Sequence, residues 1–163
     1  MWEVYRGRYF STSDFSGGTG VFSVDGPVTE AWLPAHPCRN RPLVPVGPTA
    51  RDLADGLAAQ PVLEVTRPKP VSIAGGRGVY LEVSIPDRVR PSDCKQEEVA
   101  LSTTTRRRED WWARPAGEVS AYWILDVDGQ RFIAAGWCET TCADADLEVL
   151  AGMAESVTFE GGK

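Results

Sequence analysis

The clearest pattern of apolar positions is VSAYWILDVDGQRFIAAGW, in which two apolar runs flank Asp128-Gly129. Asp-Gly favours the two-residue turns that join antiparallel strands. Such a turn places Val127 opposite Gln130 and Asp126 opposite Arg131. The register continues as Leu125 with Phe132, Ile124 with Ile133 and Trp123 with Ala134. Because both faces of this hairpin carry apolar pairs, it is predicted to lie in the middle of a sheet, covered on each side.

Two segments have the apolar spacing of amphipathic helices. In the first, Thr49 and Asp52 can form a capping box, and the helix is expected to end before Pro61. Its inward positions are Ala50, Leu53, Ala54, Leu57 and Ala58. In the second, Asp144 is expected to cap a helix. Its apolar side is formed by Leu147, Leu150, Ala151 and Ala154.

A second hairpin is predicted around the turn GGRG, between PVSIA and GVYLEVSIP. Its buried face is formed by Val79, Leu81, Val83 and Ile85. VLEVT, VTF, residues 2–10, GVFSVDG and VTEAWL are also strand-like, whereas STSDFSGGTG has the composition of a turn. The stretch PAHPCRNRPLVPVGP predicts ordered coil, because prolines lack the amide donor that a helix or central strand needs.

Hairpin signals outnumber strand–helix–strand crossovers, so the chain is predicted to be α+β, with a mainly antiparallel β-sheet and two packed α-helices. Residues 1–163 are expected to form a single domain, with 161–163 left out of the fold prediction. A length of 163 residues, with 42% hydrophobic and 25% charged residues, is typical of one globular domain. This composition excludes collagen-like, coiled-coil and disordered classes of protein.

The charge balance argues against nucleic acid as a partner. Seventeen basic and 23 acidic residues give a net charge of −6, and such a field opposes binding to a phosphate backbone. The sequence also contains no apolar stretch of transmembrane length, so no membrane span is expected.

Four cysteines, Cys38, Cys94, Cys138 and Cys142, suit two disulfides in an oxidising compartment. A bridge between Cys138 and Cys142 would lock the turn into the second helix, which leaves Cys38 to pair with Cys94. The alternatives are a structural zinc site that uses C-x3-C with His36, and reduced cysteines in a cytosolic protein. We favour disulfides and an extracellular or cell-surface location. If the protein is exported, the chain is expected to be the mature domain of a longer precursor, which could carry an anchor.

None of the short motifs specifies a reaction, a cofactor or a metal. His36, the single histidine, sits between Pro34 and Pro37 without a nucleophile-elbow sequence. DVDG lacks the later ligands of a calcium loop, and GGRG leads into a strand rather than a phosphate-binding helix. Acidic residues are plentiful, but no spacing specifies a carboxylate dyad. They include Asp87, Asp93, Glu97, Glu98 and Glu118.

The best candidate for a binding face is the long polar segment 86–115, which contains Cys94 and RRREDWW. Arginine and tryptophan dominate binding energy at interfaces. The candidate binding residues are Arg106, Arg107, Arg108, Trp111 and Trp112. The alternative is a solvated charge run whose tryptophans pack beneath the loop. Neighbouring residues of an extended chain point to opposite sides, so at most one of the two tryptophans is expected to be exposed.

The end of the chain, YWILDVDGQRFIAAGW followed by DLEVLAGMAESVTF, resembles the ends of exported domains of actinobacteria. The stretch DLADGLAAQPVLEVTRPKPVSIAGGRGVYLEVSIP resembles the helix and hairpin that precede them. The arrangement is similar to PsbP-like folds, which are α/β sandwiches. The resemblance implies a lipoprotein or the outer domain of a membrane-anchored protein of the cell envelope. It transfers no catalytic residue, and CETTC departs from its pattern.

These observations favour a non-catalytic extracellular binding or sensor domain that recognises a protein or a small molecule. The alternative is a secreted hydrolase with an acidic, carboxylate-based site, which would need Asp or Glu side chains that converge in a deep pocket.

Overall fold

The computed structural model describes residues 3–5, 8–15, 18–39, 42–94, 99–103, 111–114, 117–138 and 142–159. Within these ranges the chain is α+β, with a mainly antiparallel sheet and two helices, as predicted. In chain order the elements are β1 (Glu3–Tyr5), β2 (Arg8–Phe15), β3 (Gly18–Asp25), β4 (Trp32–Pro34), β5 (Leu43–Pro45), α1 (Ala50–Ala58), β6 (Glu64–Val65), β7 (Lys69–Ile73), β8 (Gly76–Ser84), β9 (Val99–Thr103), β10 (Trp111–Arg114), β11 (Val119–Val127), β12 (Gln130–Cys138) and α2 (Asp144–Glu155).

The described strands form a large and a small sheet. The large sheet has the order β1-β2-β3-β12-β11-β8-β6, with β7 also paired to β8, and the small sheet has the order β10-β9-β4-β5. The β11–β12 hairpin has the predicted register, including Asp126 opposite Arg131 and Trp123 opposite Ala134. Its neighbours are β3 and β8, so the hairpin lies inside the large sheet.

Both faces of the large sheet are covered. Ile124 and Leu125, successive residues of β11, are 0% and 1% exposed, which requires a layer on each side of the strand. On one side, Leu53 and Leu57 of α1 join a core with Leu101 of the small sheet. On the other side, α2 packs on a second core. Its members from the sheet include Phe22, Val24, Trp123 and Leu125.

The first half of the chain contains more strand than its local composition predicts. STSDF belongs to β2 and GTG to β3, although both were expected in a turn. Pairing along the whole of β2 and β3 overrides the weak local preference of these residues. In the β7–β8 hairpin the turn is Ala74-Gly75, and GRG begins β8. Gly78 is required there because a β-carbon would collide with the carbonyl of Ile124.

Four other expectations need correction. VTEAWL contributes only Trp32 and Leu33, the first two residues of β4. The proline-rich stretch contains β5, which lies at a sheet edge where prolines are tolerated. Segment 86–115 is not a single irregular loop, because it contains β9 and β10. VTF is not a strand, and Phe159 instead packs on Phe132 with ring centroids 4.6 Å apart.

The start of α2 also differs from the prediction, because its N-cap is Ala143 and not Asp144. Alanine has no side chain that can accept a hydrogen bond. Asp146 takes over part of this role, since its Oδ2 accepts a hydrogen bond from the backbone N–H of Ala143 at 2.9 Å. For α1 the predicted box is present: Asp52 N–H donates to Thr49 Oγ1, and Thr49 N–H donates to Asp52 Oδ2. Of the residues predicted to face inward on α1, Ala58 is instead exposed.

The four cysteines form the two predicted disulfides, Cys38–Cys94 and Cys138–Cys142, so the zinc and free-thiol alternatives are wrong. The first bridge ties the loop after β4 to the segment before β9. The nearby His36 has a local role, because its Nδ1 accepts a hydrogen bond from the Cys38 N–H at 3.3 Å. In the described part of the chain, neither helix is long and apolar enough to cross a membrane.

We expect the double substitution Cys38→Ala/Cys94→Ala to lower the free energy of unfolding by about 4 kcal/mol, because the bridge closes a loop of about 57 residues in the unfolded chain. For Cys138→Ala/Cys142→Ala the same treatment gives about 2 kcal/mol, since only four positions separate the cysteines. Urea unfolding without reductant measures both. Equal losses in the two variants would contradict the assignment of Cys38–Cys94 as the main covalent brace.

Candidate functional site

The predicted binding residues belong to the β9–β10 hairpin and its connection. Thr103 pairs with Trp111 and Ser102 with Trp112, so residues 104–110 join two antiparallel strands. Arg106, Arg107 and Arg108 lie outside the described residues, and for Trp111 and Trp112 the structure describes the backbone alone. The register nevertheless brings both ends of the connection together at one edge of the small sheet.

The strand that supports this connection is buried. Leu101 and Val99 of β9 belong to the core beneath α1, and the next residues, Ala100 and Ser102, are buried as well. The backbone N–H of Ala100 donates to the carbonyl of Pro37 at 3.2 Å, beside the Cys38–Cys94 bridge. The hairpin therefore begins from a strand held by the core, by the backbone and by a covalent link.

A pairing irregularity occurs in β10 between Trp112 and Ala113. Trp112 is opposite Ser102, but Ala113 is opposite Ala100, so one residue of β9 has no direct counterpart. Such bulges bend a strand and redirect its side chains, and they are frequent near binding sites and sheet edges. β10 is an edge strand among the described residues, so the second of these settings applies here.

A second polar constellation lies where α1 begins. The carboxylate of Asp126 accepts two hydrogen bonds from the N–H of Ala50, at 2.9 Å to Oδ1 and 3.1 Å to Oδ2. Opposite Asp126, Arg131 Nη1 donates to the carbonyl of Gly47 at 2.6 Å and to that of Thr49 at 3.3 Å. We call Asp126 and Arg131 the α1 clamp, because together they hold residues 47–50 through groups of opposite polarity.

The electrostatics of the α1 clamp are those of a buried anchor. Arg131 is 2% exposed, and burial lowers its pKa, while the negative charges of Asp126 and Asp52 act in the opposite direction. Asp126 stands at the positive end of the α1 dipole, where a carboxylate is stabilised. Hydrogen bonds from the backbone and side chain of Thr49 lower the pKa of Asp52. The three charged groups therefore serve the helix start.

On the opposite face of the large sheet, the hydroxyl of Tyr80 donates to Glu82 Oε1 at 2.7 Å, and its ring centroid lies 5.1 Å from that of Trp123. Burial raises the pKa of Tyr80, and the hydrogen bond and charge of Glu82 raise it further. The phenol is therefore held in its neutral form, which suits a hydrogen-bond donor rather than a general base.

The carboxylates considered for a hydrolytic site occupy different settings. Asp93 forms an exposed ion pair with Arg90 at 3.2 Å, and Asp87 is exposed. Glu118 is buried, next to the start of β11. Glu97 and Glu98 lie outside the described residues. Across the described ranges, no group of three His, Cys, Asp or Glu side chains is arranged to hold a metal ion.

No model of a known protein family matches the chain, and no curated protein matches it either.

The α1 clamp was only half visible in the sequence. The Asp-Gly turn predicts that Asp126 is opposite Arg131, but Ala50 is 76 positions away and nothing local connects them. One available signal was the occurrence of two opposed charges near the turn of an otherwise apolar hairpin, since buried charges need partners. The Tyr80–Glu82 pair was also missed, although residues i and i+2 of a strand share a face.

We expect Asp126→Ala to lower the free energy of unfolding by about 2–3 kcal/mol, because it removes a charged acceptor from the Ala50 N–H and one of the two negative charges that act on buried Arg131. The matched control is Asp55→Ala, an exposed residue of α1 that pairs with Arg51 at 2.9 Å. Its loss should stay below about 0.5 kcal/mol. Chemical denaturation compares the two, and similar losses would show that the clamp has no special role.

The capping box gives a prediction about acid stability. The pKa of Asp52 is lowered in the folded state, so its ionised form stabilises the fold above the ordinary pKa of about 4, and this contribution disappears as the pH falls through the lowered value. In urea titrations between about pH 2 and pH 6, Asp52→Asn should flatten the loss of stability below about pH 4. Thr49→Ala, which removes one hydrogen bond to the carboxylate, should flatten it partly. An unchanged slope in both variants would contradict this role.

Proposed function

We propose that the chain is a non-catalytic extracellular binding or sensor domain that recognises its partner through the β9–β10 hairpin. The observation that carries this proposal is the pairing of Trp111 with Thr103, which makes the arginine-rich segment the connection between two strands of the small sheet. A rigid scaffold that presents a polar connection is the usual way in which proteins build recognition surfaces.

The use of carboxylates in the fold supports a non-catalytic role. Asp52, Asp126 and Asp146 each accept a hydrogen bond from a backbone N–H at the start of a helix. Groups engaged in this way stabilise the helix starts, so their presence is explained without a catalytic role. A binding function does not require these carboxylates to transfer protons.

The proposed location is the outside of the cell or the cell surface, as a lipoprotein or the outer part of a membrane-anchored envelope protein. The structure contains two disulfides, which are compatible with an oxidising compartment. The resemblance of residues 49–159 to exported actinobacterial domains supports the same assignment.

The chemistry of the connection indicates an acidic polypeptide as the partner. Arg106, Arg107 and Arg108 are consecutive, and guanidinium groups recognise carboxylates through paired hydrogen bonds. The whole chain, with these arginines included, has a net charge of −6, so the remainder is acidic. Because the rest of the surface repels an acidic partner, the partner is attracted to the arginine segment alone. This attraction fixes the orientation of the partner as well as adding to the affinity.

Poly-L-glutamate is a direct probe of this proposal. We expect the wild-type protein to bind it at low ionic strength. Arg107→Ala should weaken binding about tenfold, because the loss of one charged hydrogen bond corresponds to a change of this size. Trp112→Ala should also weaken binding, and both variants should keep a nearly unchanged thermal midpoint. The control is Arg51→Ala, an exposed arginine on α1, which should bind like the wild type.

Two results would overturn the assignment of the binding face. One is equal weakening by Arg51→Ala and Arg107→Ala, which would indicate non-specific attraction. The other is a Trp112→Ala protein that loses several kcal/mol of stability while its folded fraction still binds, which would make this tryptophan a core residue. Turnover in a screen of esters, glycosides and phosphate esters, abolished by Glu118→Gln alone, would replace binding by the hydrolase alternative.

A further inference from the structure

The two helices are fastened to the large sheet in different ways. α1 is held by the α1 clamp, which joins half-buried Asp126 and buried Arg131, in addition to its apolar face. α2 inserts Leu150 and Ala154, both fully buried, into the second core. Leu150 packs so closely on β12 that a β-carbon at Gly136 would lie 2.5 Å from its Cδ2 atom. These apolar contacts fit closely, but they do not fix the position of α2 through charged hydrogen bonds, as the α1 clamp does for α1.

A disulfide stands at the start of α2. Cys138 is the last residue of β12, and Cys142 comes two residues before the helix, which begins at Asp144. Cys142 Sγ lies 3.9 Å from the carbonyl oxygen of Val119, the first residue of β11. The bridge therefore fixes the N-terminal end of α2 to the middle strands of the large sheet.

The two disulfides differ in their access to solvent. Cys38 and Cys94 are both buried, at 6% and 5% exposure. Cys138 is 1% exposed, whereas Cys142 is partly exposed. A thiolate must approach one sulfur of a disulfide to attack it, so access decides which bridge opens first. Cys142 is the most accessible of the four cysteines.

We propose that Cys138–Cys142 is a redox latch for α2. In the opening step, one thiolate of a dithiol attacks Cys142 Sγ, forms a mixed disulfide and releases Cys138 as a thiolate. The second thiol of the dithiol then closes a disulfide within the reductant and expels Cys142 as a thiolate, which takes up a proton as Cys138 does. Two electrons pass from the dithiol to the cystine, and the protein gains two thiols.

Opening the latch frees the start of α2 while the rest of the fold keeps its supports. α2 covers the core that contains Phe22 and Trp123, so its release uncovers this apolar face. The small sheet, α1 and Cys38–Cys94 belong to the core on the opposite face. The latch therefore acts independently of the proposed binding hairpin, and either proposal can fail without the other.

The test combines limited reduction with hydrogen exchange. Folded protein is treated with a low concentration of dithiothreitol, and new thiols are trapped with iodoacetamide and located by peptide mass spectrometry. We expect Cys138 and Cys142 to be alkylated about tenfold faster than Cys38 and Cys94. In the partly reduced protein, amides of residues 147–154 should exchange about tenfold faster, while those of β11 keep the protection of the oxidised form.

The variant Cys138→Ser/Cys142→Ser serves as the matched control. It should show the fast exchange of α2 without reductant and should no longer respond to dithiothreitol in this region. The proposal is overturned if Cys38 and Cys94 are alkylated first, if α2 exchanges equally in the oxidised and reduced proteins, or if the variant fails to fold. The last outcome would make the bridge a folding brace rather than a latch.

Discussion

The α1 clamp is the interaction on which the arrangement of layers depends. The Asp-Gly turn places Asp126 opposite Arg131, and both residues project toward the core side that α1 covers. There the carboxylate holds a free amide of the helix start, and the guanidinium holds two carbonyls just before it. Because a buried charge is costly without a partner, the two residues specify where α1 must begin. The central hairpin thus positions a helix more than 70 residues earlier in the chain.

The position of α1 explains why the two faces of the large sheet are covered and braced in different ways. On the side of α1, the core continues into the small sheet, and the Cys38–Cys94 bridge secures the segment that leads into the β9–β10 hairpin. On the side of α2, the core is closed by an apolar helix and a short disulfide. The strongly braced face carries the proposed binding hairpin, and the lightly braced face carries the proposed latch. The two functions are separated by the central layer of the molecule.

Short-range patterns predicted much of this fold. The β11–β12 register, the inward residues of β8, the capping box of α1 and both disulfide pairings follow from turn chemistry, residue alternation and cysteine count. Two of the failures arose because pairing with the neighbouring strand overrides the local preference of the residues. β2 contains STSDF, whose residues favour turns in isolation, and β5 forms in a proline-rich stretch because β4 offers a partner. Neither pairing can be read from the residues themselves.

The same limit applied to the candidate site. The arginines and tryptophans of the proposed binding face are visible as residue types. Only the pairing of Thr103 with Trp111 shows that the tryptophans lie in β10 and that the arginines fall between two paired strands. The α1 clamp was visible as a pair of opposed charges, and its target was hidden because it is an ordinary backbone amide. Backbone groups leave no mark on the sequence, so sites in which side chains hold the main chain of a distant segment need coordinates to be found.

The central claim is that Asp126 and Arg131 act as one unit on the start of α1. A double-mutant cycle with Asp126→Ala, Arg131→Met and the double variant measures this directly, through the free energy of unfolding in urea. Once one residue is gone, residues 47–50 are loosened and the other residue can contribute less, so the double variant should lose less than the sum of the single losses by at least about 1 kcal/mol. Additivity within about 0.5 kcal/mol would mean that the two residues act independently, and it would contradict the clamp.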